Sequence, residues 1–138
     1  MKRIQVVAAV IFRFDKTLAQ SENNHILIAR RADHLHQGGL WEFPGGKVEK
    51  GETHHQSLVR ELQEEINITI TSASPMMQIS HDYIDKSVTL DIWKVIEFEG
   101  NPEGAEGQEI RWVSMDELRD YDFPAANQPI LQKLLGEH

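Results

Sequence analysis

Short apolar runs rich in β-branched residues recur along the chain and predict β-strands. The first two runs, Val6–Phe14 and His25–Arg30, are separated by a polar stretch that ends in two asparagines. This pattern predicts a hairpin with a long connection. Further runs of strand character follow at Ile68–Thr71, Met76–Tyr83, Ser87–Glu97 and Glu109–Val113.

One segment has a clear helical period. Leu58, Leu62 and Ile66 recur at four-residue spacing, which predicts a helix over Thr53–Ile66 with one apolar face. Thr53 and Gln56 have the spacing of a capping box, in which each residue satisfies a backbone N–H of the other. The helix is therefore expected to begin at Thr53.

The remaining segments predict turns, loops and two short helices. Leu40–Lys47 is expected to be extended up to Pro44 and sharply turned at Gly45-Gly46, and Glu99–Gly107 is expected to be a loop. Because strands and helices alternate irregularly, we expect an α/β fold with a mixed β-sheet sandwiched between helices, in a single domain over residues 1–138. The short helices are predicted at Ser114–Leu118, with Ser114 as N-cap, and at Asn127–Leu135.

Composition narrows the class of protein. Fourteen basic and twenty-two acidic residues give a formal charge of −8, which argues against direct binding to a nucleic-acid backbone. The absence of cysteine excludes disulfides, thiol catalysis and thiolate metal sites. The apolar run after Lys2 and Arg3 lacks a cleavage pattern and is too short to cross a bilayer. We therefore expect a cytoplasmic protein without membrane contact, and nothing in the sequence requires more than a monomer.

The predicted helix carries a cluster of carboxylates away from its apolar face. Glu61, Glu64 and Glu65 fall within an arc of roughly 100°, centred about 120° from the apolar stripe. Three glutamates alone are most simply a solvated helix surface. Like charges at this spacing repel each other, but they become useful where a hard divalent cation binds between them.

The spacing around this cluster is specific. It follows the pattern G-x5-E-x7-R-E-U-x-E-E-x-G-U, where U is aliphatic, and it resembles the box of the Nudix hydrolases. The single departure is Asn67 in place of the final glycine. Because asparagine tolerates a left-handed conformation well, we expect the loop–helix–loop to survive this change. The matching residues are Gly46, Glu52, Arg60, Glu61, Leu62, Glu64, Glu65 and Ile68.

The resemblance implies metal-dependent hydrolysis of a phosphoanhydride. Divalent metals neutralise phosphate charge and activate water, and Mg²⁺ prefers oxygen ligands, with Mn²⁺ as an alternative. By resemblance, Glu61 is also the group expected to accept the proton of water. Arg60 is expected to orient the glutamates, and Glu52 to tie the loop down. The implied metal ligands are Glu61, Glu64, Glu65, the Gly45 carbonyl and Glu106.

The resemblance extends beyond the box to the 8-oxo-dGTP diphosphatase branch of the family. That branch hydrolyses an oxidised nucleotide before it causes replication errors, so a nucleoside triphosphate is the implied partner. The similar segments are Arg30–Asp33 with His36, Leu40–Gly51, Ala105–Gln108 and Phe123–Asn127. The substrate contacts that it implies are made by Arg31, His36, Glu42, Phe43, Pro44, Gly45 and Asn127.

Each implied contact has a simpler structural alternative. Asn127 offers a donor and an acceptor for a purine edge, but it also lies where it could cap the last helix. Phe43 could pack on a base or belong to the core, and Ile4 and Val6 could floor a base pocket or be ordinary strand residues. Lys86 stands where close relatives carry arginine. Lysine lacks the planar guanidinium group that can donate two parallel hydrogen bonds, so a contact made there would be weaker.

Two other functions remain open at this point. The chain could hydrolyse another modified nucleotide or a dinucleotide. The presence of Lys86, where close relatives carry arginine, leaves this possibility open. It could also be a catalytically weak nucleotide-binding module. The complete set of box glutamates argues against a mere binding module, which needs no full metal-and-base constellation.

Overall fold

The computed structural model describes residues 3–14, 24–31 and 38–136, and a mixed seven-stranded sheet forms its centre. Strand β1 pairs in parallel with β6 and antiparallel with β2 and β4. The predicted hairpin is therefore confirmed, although its connection and His36 lie outside the described residues. The strands are β1 Arg3–Phe14, β2 Asn24–Arg30, β3 Trp41–Glu42, β4 Gly45–Lys47, β5 Thr69–Asp82, β6 Ser87–Glu99 and β7 Ile110–Ser114.

Helix α1 spans His54–Ile66 and has the predicted caps. The Thr53 side chain accepts from the Gln56 N–H at 3.1 Å, and the Gln56 side chain accepts from the Thr53 N–H at 2.9 Å. At the other end Asn67 adopts φ 60° and ψ 40°. The prediction that asparagine replaces glycine in a left-handed position is confirmed.

Two apolar layers lie on opposite faces of the sheet, and β1 contributes to both. Val7, Ala9 and Ile11 face the layer that contains the apolar stripe of α1. Ala8, Val10 and Phe12 face the other layer, which includes α2 (Gln128–Leu134). Since β1 is buried on both faces, its sequence is continuously apolar rather than alternating. This arrangement confirms the expected sheet between helices.

The predicted turn at Gly45-Gly46 is wrong. The bend lies at Pro44, and the two glycines belong to β4, where they pair with Ala8 and Val7 of β1. A β-carbon on Gly45 would lie 2.0 Å from the Val7 carbonyl oxygen. Glycine is needed here for close approach of two backbones, which the sequence signal does not distinguish from a turn.

Two other boundaries differ from the predictions. The segments at Ile68–Thr71 and Met76–Tyr83 form one strand, β5, which continues through register shifts on either side of Pro75. The helix predicted from Ser114 is a 3-10 helix over Asp116–Asp120. Ser114 is the last residue of β7, and its hydroxyl still accepts from the Glu117 N–H at 3.3 Å.

The last helix lies where it was predicted, to within one residue at each end. A 3-10 turn at Ala125–Asn127 precedes α2, so Asn127 is the N-cap of α2 by position. Its side chain makes no capping hydrogen bond. Separately, no helix in the described part of the chain has the length and apolar character that a membrane span requires.

Candidate active site

Strand β4 holds two of the box glutamates against the sheet. A β-carbon on Gly46 would lie 2.3 Å from the Glu61 carboxyl carbon, so a larger residue here would force this carboxylate to move. The N–H of Gly45 donates to Glu65 Oε2 at 3.0 Å. Because β4 is itself packed on β1, both carboxylates lie at fixed positions relative to the sheet.

Arg60 connects the loop before α1 with the glutamates on the helix. Its guanidinium binds Glu52 in a two-pronged pair, with Nε–Oε2 at 2.7 Å and Nη2–Oε1 at 2.9 Å. The Nη1 group donates to Glu61 at 2.9 Å and to Glu64 at 3.2 Å. Glu52 also accepts from the Glu49 N–H at 2.9 Å, which fits the expectation that Glu52 ties the loop down.

Glu65 has the most perturbed acidity of the cluster. Its pKa is raised to about 8, chiefly by burial and next by the negative charge of Glu42. The Gly45 N–H bond opposes both effects, while the charges of Glu106 and Glu61 add to them. A positive charge placed beside this carboxyl group would lower its pKa, because it would stabilise the ionised form.

Glu61 shares this environment. Burial raises its pKa above 4.5, its contact with Arg60 lowers it, and the charges of Glu64 and Glu106 raise it. Glu106 thus acts electrostatically on both Glu61 and Glu65, although it lies in the exposed loop between β6 and β7. The structure brings the fourth predicted acidic ligand to the same region as the box.

The donor set fits a hard divalent cation. It consists of carboxylates that accept hydrogen bonds from the Gly45 N–H and from the Arg60 guanidinium. Their negative charges repel one another, so a bound cation would stabilise the cluster. Within the described residues, no three acidic or histidine side chains already surround a common point as metal ligands. Arg60 is bonded to Glu61 and Glu64, so a cation shared by these two carboxylates would compete with Arg60 for their oxygens.

A cleft of about 210 Å³ opens beside the acidic cluster on the other face of β1. Its floor is apolar, and Gly45 and Gly46 of β4 form the border between the cleft and the glutamates. Ile4 and Val6 line it, as the sequence suggested. The other lining residues are Val7, Ala8, Arg31, Glu42, Phe43, Gly45, Gly46, Lys47, Tyr83, Lys86, Val88, Leu90, Ile92, Pro124, Ala126 and Asn127.

Polar side chains stand at one side of the cleft. Arg31 donates to Glu42 at 3.0 Å, and both side chains are about a quarter exposed. Glu42 is therefore paired in the cleft and acts electrostatically on Glu65. Asn127 lines the cleft, and its side chain does not make the helix-capping bond that the sequence left open as the alternative.

Phe43 serves the core as well as the cleft. It is 3% exposed and stacks on Phe123, with ring centroids 5.3 Å apart. Pro44 is buried, and its carbonyl accepts from the Ala9 N–H at 2.8 Å. Pro44 therefore shapes the bend that places Phe43 and Gly45 in the cleft wall.

Several cleft residues were not identified from the sequence. Val88, Leu90 and Ile92 lie at alternate positions of β6 and line the cleft, whereas the sequence predicted only strand character for this segment. Tyr83 begins the turn between β5 and β6, and its ring centroid lies 5.9 Å from Lys86 Nζ. No sequence signal distinguished Tyr83 from an ordinary strand-end aromatic.

Comparison with known proteins agrees with this geometry. The NUDIX domain family matches residues 17–133. The 8-oxo-dGTP diphosphatase of Escherichia coli K12 is 42% identical over 134 residues, which cover 97% of this chain and 98% of that protein. The CTP pyrophosphohydrolase of the same organism is 37% identical, covering 99% of this chain and 94% of that protein.

A solved structure described as MutT from Aliivibrio salmonicida and Vibrio cholerae is similar along its whole length. It has a TM-score of 0.82 and 41% sequence identity, and it covers 98% of each chain. The mixed sheet, the two helices and the box on α1 therefore occur together in proteins of one family. This chain belongs to the Nudix hydrolase family.

Proposed function

We propose that this chain is a Mg²⁺-dependent pyrophosphohydrolase that converts 8-oxo-dGTP and water to 8-oxo-dGMP and pyrophosphate. The observation that carries the proposal is the junction at Gly45-Gly46. An apolar cleft with an amide side chain lies on one side of these glycines, and four carboxylates lie on the other. A nucleotide needs such a division, because its base is planar and largely apolar whereas its triphosphate is highly charged.

The base is expected to occupy the cleft. The aliphatic floor excludes water from its faces, and Phe43 supplies an aromatic edge. Asn127 offers one donor and one acceptor for a purine edge. Arg31 and Lys86 add positive charge along the wall, where phosphate or base oxygens can accept hydrogen bonds. His36 remains a predicted contact outside the described residues.

The triphosphate is expected to lie over the acidic end of α1. Glu61, Glu64 and Glu65, with Glu106 and the Gly45 carbonyl, would hold Mg²⁺ or Mn²⁺. Bound metal supplies charge neutralisation of the phosphates and a lower pKa for water. Arg60 positions Glu61 and Glu64 through its anchor on Glu52.

Glu61 is the proposed acceptor of the proton from the attacking water. Its pKa is raised above that of an ordinary glutamate, chiefly by burial, and a more basic carboxylate accepts a proton more readily. Gly46 has no β-carbon and so leaves room for this carboxylate, and a hydrogen bond from Arg60 holds it there. The Glu61→Gln variant should lose turnover while it still binds nucleotide.

A second substrate is favoured by one specific observation. The 37% identical relative is named a CTP pyrophosphohydrolase, and a pyrimidine would also fit a small apolar cleft with one amide. Monomeric state, a cytoplasmic location and the absence of nucleic-acid binding stay predictions from the sequence.

The deciding experiment measures kcat/KM for 8-oxo-dGTP, dGTP and CTP with purified protein, in Mg²⁺ and in EDTA. We expect activity only with metal, and a preference for 8-oxo-dGTP over dGTP of at least tenfold. A ratio near one, or a preference for CTP, would remove the proposed substrate. Binding of all three nucleotides without turnover would instead indicate a binding module.

A further inference from the structure

A side-chain amide links the tip of the loop that carries Glu106 to helix α1. Gln108 Nε2 donates to the backbone carbonyl of Glu65 at 2.9 Å. The Oε1 atom of the same amide accepts from the backbone N–H of Glu106 at 2.9 Å. One planar group therefore joins the main chains of two residues whose side chains are proposed metal ligands.

The orientation of this amide is fixed by its partners. A backbone carbonyl can only accept and a backbone N–H can only donate, so the NH₂ and C=O ends cannot be exchanged. Neither end of the amide can be replaced by a hydroxyl or by an apolar group without loss of one link. The side chain is half-buried, which strengthens both bonds relative to a fully solvated amide.

The surrounding loop packs around Gln108 and the end of α1. The Glu103 and Ala105 N–H groups donate to the last carbonyls of the helix, those of Ile66 and Glu65, at 3.0 and 3.1 Å. A β-carbon on Gly104 would lie 1.9 Å from the backbone carbonyl oxygen of Gln108. These bonds fix the start of the loop, whereas Glu106 itself is exposed and the only hydrogen bond shown for its N–H is the one to Gln108.

We propose that Gln108 is a positioning residue that sets the separation between the Glu106 carboxylate and the glutamates of α1. This inference rests on the proposed function only in taking Glu106 as a metal ligand. Without the amide link, the Glu106 N–H would lose its bond to Gln108, and the fourth carboxylate would be held less closely to the glutamates of α1. The predicted consequence is weaker metal binding with an otherwise intact fold.

The test uses Gln108→Met, which keeps the length and volume of the side chain and removes both hydrogen bonds. Gln63→Met is the matched control. Gln63 also uses both ends of its amide near the same helix terminus, donating to Asn67 at 3.3 Å and accepting from Thr69 at 2.9 Å. It contacts neither Glu65 nor Glu106 in these bonds.

The first measurement is Mn²⁺ binding to the nucleotide-free protein, followed by electron paramagnetic resonance of free Mn²⁺. Outer-shell partners of metal ligands typically contribute about tenfold or more to affinity, so Gln108→Met should raise the Kd for Mn²⁺ by about that factor. Gln63→Met should leave it unchanged. Thermal unfolding in EDTA should give similar midpoints for the two variants.

The second measurement combines Gln108→Met with Glu106→Gln. Once the Glu106 charge is gone its position no longer matters, so the double variant should bind Mn²⁺ as weakly as Glu106→Gln alone. Independent, additive losses would overturn the proposal, as would equal affinities for Gln108→Met and Gln63→Met. Because no nucleotide is present, these outcomes do not depend on whether 8-oxo-dGTP is the substrate.

Discussion

Gly46 lies directly beneath the Glu61 carboxylate, and its hydrogen takes the place where a β-carbon would be 2.3 Å from the carboxyl carbon. Its neighbour Gly45 has a different constraint, because a β-carbon there would be 2.0 Å from the Val7 carbonyl oxygen. The first glycine makes room for a flexible side chain and the second for a backbone. The steric requirement for glycine therefore comes from the site at Gly46 and from the fold at Gly45.

Replacing each glycine by alanine should separate these roles. Gly46→Ala should displace the Glu61 carboxylate by about an ångström and lower kcat roughly a hundredfold, with little change in Tm. Gly45→Ala should instead lower Tm sharply, because β4 cannot move from β1 without losing its pairing. Steady-state kinetics and thermal unfolding of both variants check this prediction.

The background of Glu61→Ala provides the control for Gly46. With the carboxylate removed, the three atoms closest to the added methyl group are gone, so Gly46→Ala should cause little further loss of the residual activity. If Gly46→Ala lowered Tm as much as Gly45→Ala, the proposed division between the two glycines would be wrong.

The acidity of Glu65 predicts a specific pH dependence of stability. Its pKa is raised by burial from 4.5 to about 8 in the folded protein, so the folded state binds a proton more tightly than the unfolded state. This contribution to stability is complete below pH 4.5 and is lost as pH rises through about 8. In EDTA, the free energy of unfolding should fall over this interval by more than in Glu65→Gln.

Metal should reverse this trend. A cation binds the carboxylate and not the protonated acid, so Mg²⁺ should raise Tm more at pH 9 than at pH 6. Urea unfolding across this pH range, with and without Mg²⁺, gives both slopes. Identical pH slopes for the wild-type chain and Glu65→Gln in EDTA would refute the assignment to this group.

Arg60 is predicted to act through its geometry and not only through its charge. Arg60→Lys keeps the positive charge, but an ammonium group cannot bind Glu52 bidentately while it also reaches Glu61 and Glu64. We expect kcat to fall about tenfold with a small change in KM. Arg111→Lys is the control, since Arg111 forms an exposed pair with Glu109. Equal kcat values for the two variants would contradict the prediction.

The helix and the carboxylate cluster could be predicted from sequence because their signals are local. The capping box, the apolar stripe of α1 and the left-handed Asn67 depend on residues within one short segment. The role of Gly45-Gly46 could not be predicted, since a turn and a close strand contact require glycine for the same steric reason. Pairing with β1, nearly forty positions earlier in the chain, decided between them.

The cleft could be predicted only in part for a related reason. Arg31, Phe43 and Asn127 lie in segments that resemble a known family, whereas Val88, Leu90 and Ile92 have the ordinary pattern of a sheet strand. These three residues reach the cleft because β6 pairs in parallel with β1, and this pairing is a long-range contact. Gln108 likewise acquires its significance only from its contact with Glu65.

Asn67→Gly restores the residue that the box pattern calls for and should change little. Asn67 already has φ 60°, so glycine relieves only a small strain, and it also loses the bond from Asn67 Nδ2 to Glu103 at 3.2 Å. We expect less than about 1 kcal/mol of change in stability and about the same kcat/KM. An increase in activity by orders of magnitude would show that asparagine impairs the box.

Asn127 allows the substrate assignment to be tested separately from the fold. Because its side chain makes no capping bond, Asn127→Ala should not lower stability by the roughly 1 kcal/mol typical of a lost N-cap. Loss of two hydrogen bonds to a purine edge, each contributing about 1 kcal/mol, should lower kcat/KM for 8-oxo-dGTP by about thirtyfold. Activity toward CTP should change less, because a pyrimidine presents a different edge. Gln128→Ala is the neighbouring control, since this exposed side chain bonds only weakly to Phe123, at 3.5 Å. A fall in Tm with an unchanged ratio between the two nucleotides would assign Asn127 to the helix terminus and not to the base.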